Sequence, residues 1–416
     1  MKISIGLIGC GVVGGGIVQL LKENGAYLQK RDDLTIEIKR ILVRDAKKAR
    51  PGVDPALLTE DIDDIINDGD ISIVLEAMGG VDPGLQYAQR AMEAGKHYVT
   101  ANKELIAKHW EELNAAAQRG NVSLAFEASV AGAVPILHTL NGSMHSSRIT
   151  SVMGIINGTT NYILSEMTQY GAEYADVLKK AQELGYAEAD PTADVEGYDA
   201  TYKLCILCGL AFGARVTLTQ VLREGITKVG AMDIDMAKEL GYVIKLLGIG
   251  KMENGQIQAR VHPAMIPVDS PLASIGGPFN GILVNGNASG ELMFYGRGAG
   301  DLPTASAMVS DTINIAKGKA ADLVAFSDLP VMADFLSGYY IRTMAEDRPG
   351  VMHGVSGIFA QYGVSIESCV QKGHGDGTVP LIFVTHKAKE SDIKKAIQDI
   401  EKLDYITIES VIRVEK

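Results

Sequence analysis

The sequence predicts an α/β protein of several domains, with a parallel sheet first, a mixed α+β region next and a small βαββαβ module last. In the first third, short apolar strands alternate with helical stretches, which is the pattern of parallel βαβ units. From about residue 148, strands mix with longer helices between Asn-Gly and Gly-Gly turns. Residues 338–416 follow the order strand, helix, strand, strand, helix, strand, which can form a module with its own core.

Length and charge limit the classes of protein. A chain of 416 residues is too long for one core and suits two or three domains. Hydrophobic residues make up 46% and charged residues 22%, as in ordinary globular proteins. The net charge of −12 argues against binding to nucleic acid or to an anionic membrane surface. No apolar run is long enough to span a bilayer and the N-terminus lacks a signal-type cleavage region, so we expect a cytoplasmic protein.

A G-x-G-x-x-G pattern follows the first predicted strand (3–8) and opens a helix predicted over about 14–24. Its residues are Gly9, Gly11, Val12, Val13 and Gly14. The first glycine permits a tight turn, the second lets the backbone approach a pyrophosphate, and the third lets helix and strand pack closely. Free N–H groups at the helix N-terminus then face the phosphates. The pattern and its position predict a Rossmann-type dinucleotide-binding domain.

The end of the second predicted strand (36–43) is expected to choose between NAD and NADP. Asp45 could accept from a ribose hydroxyl, whereas Arg44 with Lys47 or Lys48 could bind a 2′-phosphate. These charges could also be solvated surface groups. We favour NADP, with Arg44 as the residue that contacts the cofactor.

Further strands are predicted over 71–77, 97–100 and 122–127, with a helix over 103–119. Lys103 directly follows one of these strands, at the edge of the sheet where ligands of open α/β folds bind. A lysine there could be a solvated charge, but its position favours a role in the site.

Two later patches also carry polar groups that packing does not explain. In the first, residues 185–203, Asp199 and Lys203 lie four apart on one predicted helix and so share a face at the start of an apolar run. A desolvated lysine beside carboxylates can have a pKa suited to proton transfer, although an ordinary salt-bridged helix start remains an alternative. The second patch, residues 298–306, is a glycine turn that runs into a small-residue helix and could close over the nicotinamide.

Cys205 and Cys208 form a Cys-x-x-Cys pair, which can bind zinc or act in redox chemistry. They lie in an apolar helical run, where this spacing simply shares one buried face, and no second pair stands at metal-ligand spacing. We therefore interpret them as core residues.

Taken together, the motifs resemble the homoserine dehydrogenase family along the whole chain. The matching segments, in order, are GLIGCGVVGGG (6–16), GKHYVTANKELIA (95–107), FEASVAGAVPI (126–136), GIINGTTNYIL (154–164), GYAEADPTADVEGYDATYKL (185–204) and GRGAGDLPTASAMVSD (296–311). The resemblance implies reversible NAD(P)-dependent oxidation of L-homoserine to L-aspartate 4-semialdehyde, in threonine, methionine and isoleucine biosynthesis.

The same resemblance implies roles for individual residues. Lys203 would transfer the hydroxyl proton and Lys103 would hold or polarise the same oxygen. The substrate ammonium group would be accepted by Glu188 and Asp199, with Asp194 also in the substrate site. Gly185 and Gly300 would contact the cofactor, as would Lys103. A sodium-like monovalent cation would be bound by the backbone carbonyls of Glu127, Val130, Gly132 and Val134.

The tail resembles an ACT domain, an amino-acid-sensing module, at residues 347–351 and 363–368. We expect an amino-acid effector such as threonine at the 347–351 turn, although a purely structural or dimerising tail is the alternative. The predicted organisation is a dinucleotide-binding domain over 1–135, completed by a helix over 303–320, a catalytic and dimerisation domain over 136–325, a linker, and an ACT domain over 338–416. We expect a homodimer or homotetramer.

Two other functions could use a nucleotide-binding fold of this kind. A semialdehyde dehydrogenase of the thiolate type needs a reactive cysteine at the site, and none of the four cysteines lies there. A non-catalytic sensor would not need the lysine–carboxylate group, which is present in full. The sequence therefore favours the enzyme.

Overall fold

The N-terminal region folds into a six-stranded, fully parallel sheet in a computed structural model that describes residues 1–319, 326–373 and 377–416. The strands are β1 (Lys2–Ile8), β2 (Thr35–Leu42), β3 (Leu58–Thr59), β4 (Ile71–Glu76), β5 (His97–Thr100) and β6 (Leu124–Ala125). Their order in the sheet is β3-β2-β1-β4-β5-β6, which reverses between β1 and β4, so the crevice for a ligand opens beyond the carboxyl ends of these two strands. The predicted Rossmann-type fold is confirmed.

Helices cover both faces of this sheet, and some of them differ from the predicted bounds. They are α1 (Val12–Asp32), α2 (Asp63–Ile66), α3 (Gly84–Glu93), α4 (Lys103–Lys108) and α5 (Trp110–Gly120). The prediction for α1 is too short, because the helix continues past Asn24-Gly25 to bury Leu28 and ends at Asp32, before Asp33 with its left-handed φ of 49°. The helix predicted over 103–119 is divided at His109, whose ψ of 34° breaks the helical geometry.

The middle region builds most of a second, larger sheet. Its strands are β7 (Ile149–Ile155), β8 (Leu222–Arg223), β9 (Tyr242–Glu253), β10 (Gln256–Pro267), β11 (Phe279–Gly286) and β12 (Gly290–Arg297). Its helices are α6 (Ile136–His138), α7 (Gly158–Tyr170), α8 (Tyr174–Glu183), α9 (Thr192–Val195), α10 (Tyr198–Phe212), α11 (Ala231–Glu239) and α12 (Asp301–Ala316). Helix α10 is buried on nearly every side, with Cys205 and Cys208 in the core as predicted, and burial raises the pKa of the Cys205 thiol to about 12.

The helix expected over 303–320 is α12. It begins two residues before the predicted start, at Asp301, and ends at Ala316; residue 320 lies outside the described residues. Ala305, Met308 and Val309 of α12 join the hydrophobic core beneath β1 and α1. This helix therefore contributes to the core of the N-terminal sheet although it follows the middle region in the chain.

The tail has the predicted βαββαβ order, with one extra two-residue strand. Its elements are β13 (Leu336–Glu346), α13 (Val351–Gln361), β14 (Ile366–Gln371), β15 (Thr378–Thr385), β16 (Ala388–Lys389), α14 (Glu390–Ile400) and β17 (Ile406–Val414). It has a hydrophobic core of its own, centred on Tyr339, Phe359 and Phe383.

The sheet of the tail is continuous with the sheet of the middle region. Ala264 and Met265 of β10 pair in parallel with Arg413 and Val414 of β17. The order along this 11-stranded sheet is β12-β11-β7-β9-β10-β17-β13-β15-β14, and β8 and β16 pair off this path with β10 and β13. The segment after residue 325, which was expected to be a linker, packs against the N-terminal region at its start. The ring of Phe326 stacks on Trp110 of α5, with ring centroids 4.6 Å apart.

Among the residues that the structure describes, no helix is long and apolar enough to cross a membrane.

Candidate functional site

A cavity of about 580 Å³ lies between the two sheets. Pockets of this volume suit small ligands and cofactors. The carboxyl ends of β1 and β5 contribute one wall of the cavity, and α7, α10 and the turn before α12 contribute others. Its lining includes nine of the predicted site residues: Val12, Val13, Lys103, Gly185, Glu188, Asp194, Asp199, Lys203 and Gly300.

The glycine turn after β1 leaves backbone exposed where a dinucleotide would lie. A Cβ on Gly11 would meet no atom within 4 Å, whereas a Cβ on Gly14 would lie 2.2 Å from the carbonyl oxygen of Gly9. Gly9 itself has a φ of 91° and lies against Ala77. Gly14 and Gly9 therefore shape the turn, and Gly11 leaves an open surface. Both observations fit a dinucleotide at this end of the cavity.

At the other end of the cavity, one carboxylate joins the two lysines. Asp199 Oδ2 accepts from Lys203 Nζ at 2.6 Å, and Asp199 Oδ1 lies 3.2 Å from Lys103 Nζ. Lys203 also donates to the carbonyl of Ile156 at 2.9 Å. An ammonium group has three donors, so these bonds leave one N–H of Lys203 for the cavity. The predicted juxtaposition of Lys103, Asp199 and Lys203 is present in the structure.

Each of these side chains has a defined support. Asp199 and Lys203 are one turn apart on the buried helix α10, which begins after Gly197 in a left-handed conformation. Lys103 is the first residue of α4, and the side chain of Asn102 caps that helix by accepting from the N–H of Leu105 at 3.1 Å. Burial and capping thus hold the lysines on rigid elements.

Asn157 is a site residue that the sequence analysis did not single out. Its side-chain amide donates to Asp194 Oδ1 at 2.7 Å and to Asp199 Oδ2 at 2.8 Å. The side-chain oxygen Oδ1 of Asn157 caps α7 by accepting from the N–H of Thr160 at 2.8 Å. The signal in the sequence was an asparagine at the end of a strand and before a Gly-Thr-Thr helix start, which is a helix-capping pattern.

Mutual charges set the pKa values of the cluster. Burial raises the pKa of Asp199, but the charges of Lys203 and Lys103 outweigh it and hold that pKa below its usual value. The charge of Asp199 in turn raises the pKa of Lys103 despite burial. Burial, and then the negative charge of Asp199, raise the pKa of Asp194. The cluster therefore contains one carboxylate that is firmly ionised and one that protonates more readily.

The remaining predicted residues lie around the cavity. Gly9, Gly11 and Gly14 form the turn beneath the cofactor end, and Arg44 is exposed just beyond β2. The residues predicted to bind a cation, Glu127, Val130, Gly132 and Val134, form a turn whose neighbours Ala128 and Ser129 line the cavity.

The turn at 127–134 is tightly held. Ala131 and Gly132 both have left-handed φ values, of 55° and 53°. The carboxylate of Glu127 accepts from the backbone N–H groups of Leu137 and His138, at 3.0 and 2.6 Å, and burial raises its pKa to about 7. Two acceptor sites of this carboxylate are therefore already used by the protein, and the backbone oxygens of the turn are the candidate ligands of a cation.

A parallel sheet with a glycine turn at its switch point, joined to a lysine–carboxylate cluster in one cavity, defines a nicotinamide-dependent oxidoreductase. The chain matches the family model for homoserine dehydrogenase at residues 135–313, its NAD-binding domain at 9–127 and the ACT domain at 339–405. A homoserine dehydrogenase of Synechocystis sp. is 44% identical over the full length of both chains. One of Corynebacterium glutamicum is 44% identical over 100% of this chain and 96% of its own.

A crystal structure of a homoserine dehydrogenase from Thiobacillus denitrificans superposes with a TM-score of 0.95 and 40% identity, covering 100% of this chain and 99% of that one. The chain belongs to the homoserine dehydrogenase family. It is an NAD(P)-dependent oxidoreductase that acts on the CH–OH group of L-homoserine and yields L-aspartate 4-semialdehyde, and the predicted ACT domain is confirmed.

Proposed function

We propose that Lys203 transfers the hydroxyl proton during oxidation of L-homoserine, while Lys103 polarises the same oxygen. The observation that carries this proposal is the pairing of both lysines with Asp199 in one cavity, at 2.6 and 3.2 Å. A bound nicotinamide ring supplies the hydride acceptor. As hydride leaves carbon, the hydroxyl proton passes to the lone pair of a deprotonated Lys203 amine, and the positive charge of Lys103 stabilises the negative charge that develops on the oxygen.

The carboxylates of the cavity have two roles: they orient the lysines and bind the substrate ammonium group. Asp199 already accepts from Lys203, Lys103 and Asn157, so its main effect is to orient the lysines, with its remaining acceptor capacity for the substrate ammonium group. Asp194 lines the cavity and its Oδ1 accepts from Asn157 at 2.7 Å, and exposed Glu188 lines the same cavity. We assign the ammonium group chiefly to Asp194 and Glu188.

The test of this assignment is Lys203→Met. We expect kcat to fall at least ~100-fold, the scale of a positioned acid–base group, with the Kd of the dinucleotide unchanged. Lys245→Met is a matched control, because Lys245 is similarly buried (5% against 8% exposed) and does not line the cavity. Near-normal turnover in Lys203→Met would transfer the proton role to Lys103 or to water.

We also propose NADP as the preferred cofactor, with Gly185 and Gly300 in contact with it and Arg44 beside its 2′-phosphate. Arg44 is exposed beyond β2, next to Asp45, whose side chain accepts from the N–H of Lys47 at 2.8 Å. Arg44→Ala is expected to weaken NADP about fivefold and NAD hardly at all, since an exposed charge pair contributes about 1 kcal/mol. Equal losses for both cofactors would show that Arg44 binds something else.

A monovalent cation such as sodium is proposed at the backbone carbonyls of Glu127, Val130, Gly132 and Val134. The carbonyls of Glu127 and Val134 each accept one hydrogen bond within the turn, and a carbonyl can accept two. Thermal unfolding of the metal-free protein at increasing concentrations of sodium chloride, with choline chloride as the control salt, tests this site. Equal unfolding midpoints in both salts would contradict it.

We further propose that the protein is a cytoplasmic homodimer or homotetramer with domains 1–135, 136–325 and 338–416. We also propose that an amino-acid effector binds at the 347–351 turn. That turn borders a second cavity of about 190 Å³ lined by Arg348, Gly350 and Met352 among others. Titration of threonine against the enzyme, with sedimentation in parallel, tests both points; an enzyme that no amino acid affects would leave the tail a structural role.

A further inference from the structure

Four consecutive residues, 195–198, connect Asp194 to Asp199, and a neighbouring segment holds three of them. The N–H of Ile226 donates to the carbonyl of Val195 at 2.8 Å, and the guanidinium of Arg223 donates to the carbonyl of Glu196. The same guanidinium lies over the ring of Tyr198, 3.6 Å from its centroid. The position of both carboxylates therefore depends on the segment 222–227.

The approach between the two segments is close. A Cβ on Gly225 would lie 2.3 Å from the carbonyl oxygen of Val195, and a Cβ on Gly197 would lie 3.2 Å from Val261 and 3.6 Å from the carbonyl oxygen of Glu224. At such distances, a displacement of the segment 222–227 must move the connection between Asp194 and Asp199 as well.

The segment 222–227 is in turn fixed by the tail. Arg413 of β17 donates to both carboxylate oxygens of Glu224, each at 2.8 Å. Strands β8 and β17 both pair with β10, at Arg260–Val261 and at Ala264–Met265, while β9 pairs with the opposite edge of β10. Strand β17 of the tail and strand β8 of the segment 222–227 therefore lie along the same edge of β10.

Arg413 is well supported in this position. It is 3% exposed and also donates to Glu390, which accepts from the hydroxyl of Tyr339 at 2.8 Å. Two parallel N–H···O bonds fix the orientation of a carboxylate as well as its distance. Glu224 is therefore held by a rigid group, although 41% of its own side chain is exposed.

We propose that Glu224, held by Arg413 of the tail, is a positioning residue for Asp194 and Asp199. The tail then supports substrate binding in the absence of any effector. This inference rests on the proposed roles of Asp194 in binding the ammonium group and of Asp199 in orienting the two lysines. Glu224 does not itself line the cavity as described, so its influence passes through the segments 222–227 and 195–198.

The experiment compares Glu224→Gln with Glu239→Gln in the full-length enzyme. Glu239 is a matched control, because it is 55% exposed and also pairs with a residue of the tail, Lys372, but at the end of α11. Loss of one charge-assisted bond is expected to raise the KM for L-homoserine about fivefold in Glu224→Gln. The KM of the dinucleotide should stay within about twofold of the unmodified enzyme, and kcat should fall less than the KM for L-homoserine rises, because Asp199 is also anchored within helix α10.

Equal KM values for L-homoserine in the two variants would overturn the proposal. So would a uniform loss of kcat and of cofactor affinity, which indicates damage to the fold. If Glu224→Gln fails to fold, Arg223→Met is the second variant, because it removes the bond to the carbonyl of Glu196. A KM increase limited to L-homoserine would support the proposal, and an unchanged KM would refute it. Asp194→Asn distinguishes failure of the positioning role of Glu224 from failure of the ammonium-binding role of Asp194. An unchanged KM for L-homoserine in Asp194→Asn would refute the ammonium-binding role itself.

Discussion

The cofactor end of the cavity is formed by backbone without charged side chains, whereas the substrate end is formed by buried, charged side chains. The turn at Gly9–Gly14 has no charged side chain and works through open space above Gly11 and close contact at Gly14. Asp199 and Lys203, in contrast, are both less than 9% exposed and bond to each other. One end depends on the absence of side chains, and the other on their exact pairing.

This difference determines how each end responds to substitution. In the turn, the effect of an added methyl group depends on whether it points into the protein or toward the ligand. In the charged cluster, the loss of one partner leaves another buried group without its bond, which costs more than the bond contributes. Three predictions follow from this comparison, from the largest effect to the smallest.

The largest effect is expected at Gly14. Gly14→Ala places a methyl group 2.2 Å from the carbonyl oxygen of Gly9, and overpacking of this kind costs about 3 kcal/mol. We expect the Tm to fall and dinucleotide affinity to drop about a hundredfold, measured by thermal unfolding and by titration calorimetry.

Gly11→Ala and Gly15→Ala complete the comparison, since neither new methyl group meets an atom within 4 Å. Gly11→Ala should keep the Tm and lose dinucleotide affinity, because only the ligand is obstructed. Gly15→Ala should change neither binding nor activity. A Gly11→Ala variant that binds normally would show that the dinucleotide does not approach this backbone.

An intermediate effect is expected at Asn157, which serves both the carboxylates and helix α7. Asn157→Ala removes one hydrogen bond to the buried Asp199 and one to the half-buried Asp194, and should raise the KM for L-homoserine about tenfold, with a lower Tm from the lost cap. Asn157→Ser keeps a capping oxygen, so its Tm should recover while the KM stays high. Parallel recovery of both quantities would mean that Asn157 acts only through the helix.

The smallest effect concerns pH. The pKa of Asp194 is raised, so this carboxyl protonates at a higher pH than an ordinary aspartate, and attraction of the substrate ammonium group is lost as pH falls through that value. The KM for L-homoserine should therefore rise on the acid side in the unmodified enzyme. Asp194→Asn should have a KM that is about fivefold higher at neutral pH and nearly flat toward acid.

Asp190→Asn is the control for this pH dependence, because Asp190 is exposed and does not line the cavity. Its profile should match the unmodified enzyme. An acid-side rise in KM that survives in Asp194→Asn would assign the titration to another group.

The same contrast explains what could be predicted from the sequence. The dinucleotide turn was predictable because each glycine has a backbone role at a fixed position between strand and helix. The pairing of Asp199 with Lys203 was predictable because both lie on one helix. The bond from Lys103 to Asp199 joins distant parts of the chain, and the family resemblance, not local pattern, indicated that they share a site.

Other features depended on tertiary contacts that no local pattern contains. Asn157 has its second role only because α9 and α10 bring Asp194 and Asp199 to the end of β7. Helix α1 exceeds its predicted length because Leu28 finds a place in the core. The segment after residue 325 was predicted to be a linker from its composition, whereas Phe326 stacks on Trp110.

The pairing of β10 with β17 has a consequence for folding. Ala264 and Arg413 are neighbours in the sheet but far apart in the chain, and contacts of such long range form slowly because the loop between them must close first. Until β17 is made and docked, part of one edge of β10 remains open to other strands. An open edge of this kind favours aggregation. Yield of native enzyme should therefore depend on chaperones more strongly than the stability of the finished fold would suggest.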